Sequence, residues 1–341
     1  SSATAFLWPA KGRQNLKVMT DATVTRLIIR DGAAVGVELI QHSRSQTFSA
    51  QAEIILTAGA IGSPHILQLS GIGSGKLCQS HGIVTVCDQP NVGKHLQDHL
   101  GINYFHLANR PTLNNVLGSW PHLIIAGVNY IMRRQGPLSL GVNQLGGLVR
   151  ATPDAPRLDT QLYINPITYS VTDGDTRRLT KPDRAPGFAL SFNSCRPYSA
   201  GSVYIKSADA ATPPAIHGNY LNDQRDIDDV LRMARFIGRM QNSPSVQKLL
   251  AAPPETNLLA LSDNEIIDDF RTRSGTVFHP CGTCRMGPDR RHSVVDPQLR
   301  VHGVGKLRVA DAAIFPNITS ANTNAPTIAV AHKAASLILQ R

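Results

Sequence analysis

No stretch of the chain is apolar for long enough to cross a bilayer as a helix. The strongest candidates, such as residues 123–128, are interrupted by Gly127 and by polar residues, so no membrane span is expected. Cysteine is scarce: Cys78, Cys87, Cys195, Cys281 and Cys284 are odd in number and irregular in spacing, which argues against a disulfide framework. The pair Cys281-Gly282-Thr283-Cys284 has no second pair at a comparable distance to complete a zinc site. Gly282 and the later Gly287-Pro288 read as a loop, unlike a thioredoxin-type turn into a helix. Aromatic residues are 5% of the chain, which speaks mildly against an aromatic cage for a cationic ligand. Acidic residues are outnumbered, 24 against 34 basic, for a net charge of +10. The basic residues are nevertheless scattered. Arg133-Arg134, Arg177-Arg178 and Arg290-Arg291 are isolated pairs without interleaved aromatics, so no nucleic-acid interface is expected. Repeats, low-complexity tracts, an initiator Met and a signal-like start are also missing, and Ser1-Ser2-Ala3-Thr4-Ala5 reads as an internal point of a longer protein.

What is present is a folded chain of two-domain length, 341 residues with 42% hydrophobic content. Residues 22–29 and 35–40 are β-branched strands around an Asp31-Gly32 turn, and residues 53–57 form a short buried strand that runs into Ala58-Gly59-Ala60. Ser63 and Pro64 predict a helix start, with Ser63 as N-cap, Pro64 at the first position and Gly71 as the stop. From 101 to 220 the character changes to short spaced strands, among them 188–192 and 202–205, expected to belong to one separate antiparallel sheet. Residues 226–240 form a helix with Ile227, Val230, Leu231, Ala234 and Ile237 on one stripe, and Ser262 with Glu265 makes a capping box for a further helix through Phe270. After 275 the α/β pattern returns with a strand at 307–310 and a helix at 326–339, whose Ile328, Ala331, Ala335 and Ile338 are spaced to bury one face. The fold class expected is mixed α/β and α+β. Residues 1–100 and 276–341 form one domain, and 101–275 form a second with an antiparallel sheet flanked by helices.

The chemistry-bearing segment is Phe278-His279-Pro280-Cys281-Gly282-Thr283-Cys284-Arg285-Met286-Gly287, followed by Leu307-Arg308-Val309-Ala310-Asp311 and Ser320-Ala321-Asn322-Thr323-Asn324-Ala325-Pro326. A neutral imidazole at His279 can accept a hydroxyl proton near neutral pH, and a carboxamide at Asn322 can donate a hydrogen bond to the oxygen left behind. Alcohol oxidation also requires a hydride acceptor, which no side chain provides, so an organic cofactor is implied.

At these residues the sequence resembles the glucose–methanol–choline flavoprotein oxidoreductases. Gly59-Ala60-Ile61-Gly62-Ser63-Pro64-His65-Ile66-Leu67-Gln68-Leu69-Ser70-Gly71-Ile72-Gly73 is similar to the family's second signature, and residues 279–287 and 307–326 to its C-terminal ones. Asn91-Val92-Gly93-Lys94-His95-Leu96-Gln97-Asp98-His99 resembles a further family stretch, with His95 where Asn is usual. The resemblance implies FAD as cofactor, His279 as catalytic base, and Asn322 at the second active-site position. It also implies Val24, Ala58, Gly59, Asp311, Ala312, Asn322 and Thr323 in segments that touch the flavin nucleotide. Gly62 is expected near the cofactor too, while His99 stands as either a site or a structural histidine. The family's opening strand, G-x-G-x-x-G turn and helix do not occur: Gly71-Ile72-Gly73-Ser74-Gly75 ends a helix instead of following a strand. The expectation is therefore a C-terminal portion that holds FAD weakly or not at all by itself.

The function expected is oxidation of a small primary alcohol by hydride transfer to flavin, with oxygen or a quinone-type acceptor taking the electrons. The alternatives are a non-catalytic fragment, or a hydroxynitrile lyase on the same scaffold. Residues 137–147 and 163–169 are expected near the substrate.

Overall fold

The computed structural model of the chain describes residues 1–141, 143–173 and 178–340, so Arg177 and Val142 lie outside the described residues. In chain order the elements used below are β1 (Ala22–Arg30), β2 (Ala33–Gln41), β3 (Arg44–Ser49), β4 (Ile54–Leu56), α1 (Gly59–Leu69), β5 (Lys94–Leu96), β6 (Leu100–Leu107), α2 (Trp120–Arg133), β7 (Leu145–Val149) and β8 (Thr160–Asn165). They continue with β9 (Gly187–Ser194), β10 (Gly201–Tyr204), β11 (Ala215–His217), α3 (Gln224–Gln241), α4 (Asp263–Arg273), β12 (Gly275–Thr276), β13 (Leu307–Val309) and α5 (Asn324–Leu339). They cluster into two compact units. The first comprises Ser1–Asp98, Ser199–Tyr220 and Phe278–Arg341, and the second His99–Tyr198 and Leu221–Val277.

In the first unit β1, β2 and β3 form an antiparallel sheet in that order; the hairpin around Asp31-Gly32 is joined by a third strand that residue pattern alone did not indicate. β4 and β13 pair in parallel, Leu307 with Ile54 through Val309 with Leu56. A buried ion pair, Arg308 Nε to Glu53 Oε2 at 3.0 Å, ties the two chain segments together. The core gathers Leu27, Leu56, Leu67, Ile72, Val294, Val309, Ile314 and Phe315.

Three expectations are corrected here. The helix after β4 starts at Gly59, four residues before Ser63, and Pro64 lies inside it. Ser63 does not cap, because its hydroxyl is committed to Asp311. Proline cannot supply the N–H that Ala60 C=O would receive within the helix. The Thr283 hydroxyl donates to that carbonyl instead, at 2.6 Å. Second, residues 202–205 do not join the sheet of 188–192. β10 pairs with β5 and β11 in the first unit, where Gln68 of α1 accepts from Ile205 N at 2.9 Å and donates to Val203 O at 3.0 Å. The expected 101–275 domain is thus interrupted by Ser199–Tyr220. Third, α5 buries Ala334 and packs Val330 and Leu337 on the core, while Ala331 and Ala335 stay exposed. The helix is apolar on several faces, so spacing did not single out the face that is covered.

The second unit is built on a five-stranded antiparallel sheet in the order β12-β6-β9-β8-β7. β6 alternates inward and outward, and its Ile102 and Tyr104 meet Phe192 of β9 and Phe270 of α4. The apolar stripe of α3, Val230, Ala234 and Ile237, packs into the same core, capped at its start by Asp223. α4 carries the Ser262–Glu265 capping box and runs on to Arg273.

Candidate active site

The loop that follows β12 delivers His279, and the turn before α5 delivers Asn322. Both belong to the first unit, and Asn322 Nδ2 lies 2.9 Å from His279 Nε2. An unprotonated Nε2 accepts that hydrogen bond, which leaves the ring proton on Nδ1. The ring is buried, at 7% exposure, while Asn322 faces solvent. Burial pushes the His279 imidazole below its ordinary value of 6.5, and the nearby Asp98 charge opposes that shift without reversing it. The neutral, proton-accepting form is therefore favoured.

Both limbs are pinned by two adjacent residues that the site expectation did not include. Asp98 Oδ1 accepts from the His279 backbone N at 2.9 Å, and its Oδ2 accepts from the Tyr220 hydroxyl at 2.8 Å. Gln97 exchanges backbone bonds with Cys281 at 3.0 and 2.9 Å, and its side-chain oxygen accepts from Ile318 N at 3.0 Å, four residues ahead of Asn322. The signal lies in Gln97-Asp98-His99, of which only the histidine was expected as a candidate for the site. His99 is fully buried in the second unit, with Nε2 3.2 Å from Cys195 O. Phe278, just before His279, is 83% exposed and sits at φ 61, a left-handed conformation that bulky residues rarely adopt.

A second cluster joins β4, α1 and the turn after β13. Asp311 Oδ2 accepts from Gly59 N at 2.9 Å and from Ser63 Oγ at 2.5 Å, while Oδ1 accepts from Ala313 N at 2.7 Å. Gly59 has φ 79, and a Cβ there would meet no atom within 4 Å, so the backbone turn is open on that side. Gly62 differs: a Cβ would lie 2.8 Å from that of Ala58. Burial raises the Asp311 carboxyl above its ordinary value. Residues 282–286 run beside this turn, with Gly282 N, Cys284 N and Met286 N donating to Ala312, Ala313 and Ile314 carbonyls. Ala58, Gly59, Asp311 and Ala312 are thereby assembled in one place, and Thr323 lies buried at the start of α5. Val24 sits on β1 opposite Leu39, outside this hydrogen-bonded cluster. Cys281 and Cys284 are free buried thiols, the former pushed up to about 12 by burial.

In the second unit, Tyr163 and Asn165 of β8, Ser191 and Asn193 of β9 and Asn103 of β6 share one sheet face by register. The buried amide oxygens of Asn165 and Asn193 have no hydrogen-bond partner.

Residues 1–101 and 197–331 each match a family model described as GMC oxidoreductase. The chain is 38% identical to an alcohol dehydrogenase [acceptor] of Pseudomonas putida, over 100% of this chain and 61% of that protein. It is 34% identical to the mitochondrial choline dehydrogenase of Homo sapiens, over 99% of this chain and 56% of that protein. It thus spans about three fifths of the length of these curated relatives. Among solved structures it is similar to an Aspergillus oryzae formate oxidase, at TM-score 0.86 and 27% identity over 96% of this chain and 62% of that one. A pyridoxine 4-oxidase from Mesorbium loti aligns at TM-score 0.83 and 26% identity, over 100% and 62%.

Proposed function

The chain belongs to the GMC oxidoreductase family, and on that premise we propose that the enzyme it forms part of oxidises a small alcohol with FAD. The observation that carries this reading is the 2.9 Å approach of His279 Nε2 and Asn322 Nδ2, which lets one substrate oxygen meet both groups. A substrate hydroxyl displaces Asn322 Nδ2 from the Nε2 lone pair of His279, and the ring, kept neutral by burial, takes the hydroxyl proton there. Asn322 then donates to the alkoxide oxygen, and the Gln97-Asp98 pair keeps the two limbs in register. The bound flavin supplies the two-electron acceptor that no side chain offers.

The residues present fit such a group. The open left-handed turn at Gly59, locked by Asp311, leaves backbone free for close approach of a ligand, and Ala58, Ala312 and Thr323 complete the surface we assign to it. The first unit is then the FAD-binding part. A primary alcohol is the substrate class, with oxygen or a quinone-type compound as final acceptor.

Stopped-flow reduction of the complete flavoprotein by alcohol tests the assignment. His279→Ala should slow reduction roughly 10²–10⁴-fold, the usual contribution of a general base. An unchanged rate would remove His279 from the mechanism.

A further inference from the structure

The arm Ser199–Tyr220 belongs to the first unit and closes on a strained turn. Tyr220 stands between two non-glycine residues in the left-handed region, Asn219 at φ 51 and Leu221 at φ 56. That region is uncommon for a bulky side chain, and such conformations persist only where the surroundings enforce them. Two glycines make the turn possible. A Cβ at Gly218 would lie 2.3 Å from Cε2 of the Tyr220 ring, and one at Gly201 would lie 1.8 Å from His217 O. The Tyr220 ring thus packs on backbone that any other residue would block.

What this turn delivers is one hydroxyl. Tyr220 donates to Asp98 Oδ2 at 2.8 Å across 122 residues, while Asp98 Oδ1 accepts from His279 N at 2.9 Å. The arm does not need that bond to stay in place. β10 pairs with β5 and β11, Gln68 holds Val203 O and Ile205 N, and Asn219 Nδ2 donates to Ala200 O at 3.0 Å. Asp98 is buried, at 6% exposure, so a donor to its second oxygen both satisfies the carboxylate and fixes its rotation.

We infer that Tyr220 is a positioning residue for the imidazole: acting through Asp98, it holds the carboxylate that anchors the His279 loop and shares part of the negative charge that the ring feels. The inference rests on the proposed role of His279 as base. Asp98 is the charged group that bears on the ring, and Asn322, the ring's hydrogen-bonded neighbour, is neutral. The titratable groups around the carboxylate are that ring, the Tyr220 hydroxyl and the buried Cys281 thiol, while His99, next in the chain, turns Nε2 to Cys195 O. Burial, and after it the Asp98 charge, push the Cys281 thiol up to about 12, so it stays protonated near neutral pH. Without the phenol hydroxyl, more of the Asp98 charge is left to favour the imidazolium, and the ring's titration moves upward.

Tyr220→Phe in the complete flavoprotein removes one oxygen and tests this. The ¹⁵N titration of His279 should move to higher pH, and the acid limb of alcohol-driven flavin reduction should follow it, opposite in direction to the shift expected when Asp98→Asn removes the charge. The plateau rate should fall by up to roughly a hundredfold, the scale of a misplaced reacting group, with KM little changed. In an Asp98→Asn background the same substitution should leave the titration where it is, because the charge it modulates is gone. A titration unmoved or lowered by Tyr220→Phe, or shifted equally in both backgrounds, overturns the inference. A titration that rises while the reduction profile stays in place upholds the coupling and removes His279 as the base, so the two readings fail separately.

Discussion

At the scale of single residues, the ionisation of His279 is a contest between two neighbours of the ring. Burial disfavours the imidazolium and the Asp98 carboxylate favours it, and burial prevails. The imidazole therefore stays unprotonated at pH values below its ordinary 6.5, and on the proposed function the acid limb of alcohol-driven reduction should fall below that value. Asp98→Asn separates charge from geometry. An amide oxygen can still accept from His279 N, and its NH₂ can donate to Tyr220, but the charge that raises the histidine is gone. The expected outcome is an acid limb displaced to lower pH with the plateau rate largely kept, measured as a pH profile of flavin reduction and as the ¹⁵N titration of His279. Asp98→Ala should instead lose plateau rate, because the loop is released. A pH profile unmoved by Asp98→Asn would show that the carboxylate charge does not reach the ring.

At the scale of elements, α1 is held to the 281–284 loop by a defect in its own ladder. Pro64 leaves Ala60 C=O without a helical partner, and the fully buried Thr283 hydroxyl supplies one. Thr283→Val should cost about 1–3 kcal/mol, the usual penalty of an unsatisfied buried acceptor. Combining it with Pro64→Ala should restore part of that, since an alanine N–H at 64 can bond to Ala60 O in the ordinary helical way. Urea unfolding of the two single variants and the double variant reads the coupling directly, and strictly additive losses would sink this account. The same loop carries His279 at its start, so an interaction that looks like helix repair also fixes where the imidazole enters the site.

At the scale of the whole molecule, burial favours the neutral form of four histidines, two of them buried, His106 and His279, and two half-buried, His65 and His95. His65, His95, His106 and His279 are all lowered from the ordinary 6.5, with burial the largest cause in each. Their folded values lie below their unfolded ones, so the unfolded chain binds more protons on acidification. Stability is fully present above about 6.5 and falls as pH drops through that value toward the lowered ones. Asp229 and Asp311, raised by burial, act in the opposite sense, between their raised values and the ordinary 3.8. The thermal midpoint should therefore decline between about pH 7.5 and about pH 5.5. A flat or rising midpoint across that range would contradict the burial of these rings. His65 makes the argument sharpest, because its buried Nε2 has no hydrogen-bond partner to hold a proton for.

What the residues alone determined were features whose partners lie close along the chain. The Asp31-Gly32 hairpin, the stripe of α3 and the Ser262–Glu265 capping box were legible because short spacing restricts what each side chain can reach. That His279 and Asn322 would lie together was expected through a resemblance, since spacing alone says nothing of a distance across 43 residues. Only the tertiary structure decided that Ser63 binds Asp311, that Gln68 draws residues 199–220 into the first unit, and that Asp98 anchors His279 across 181 residues. A side chain able to cap a helix can equally serve a distant carboxylate. The closure of the chain selects the partner, because a buried polar group must be satisfied by whichever group the packing brings within reach.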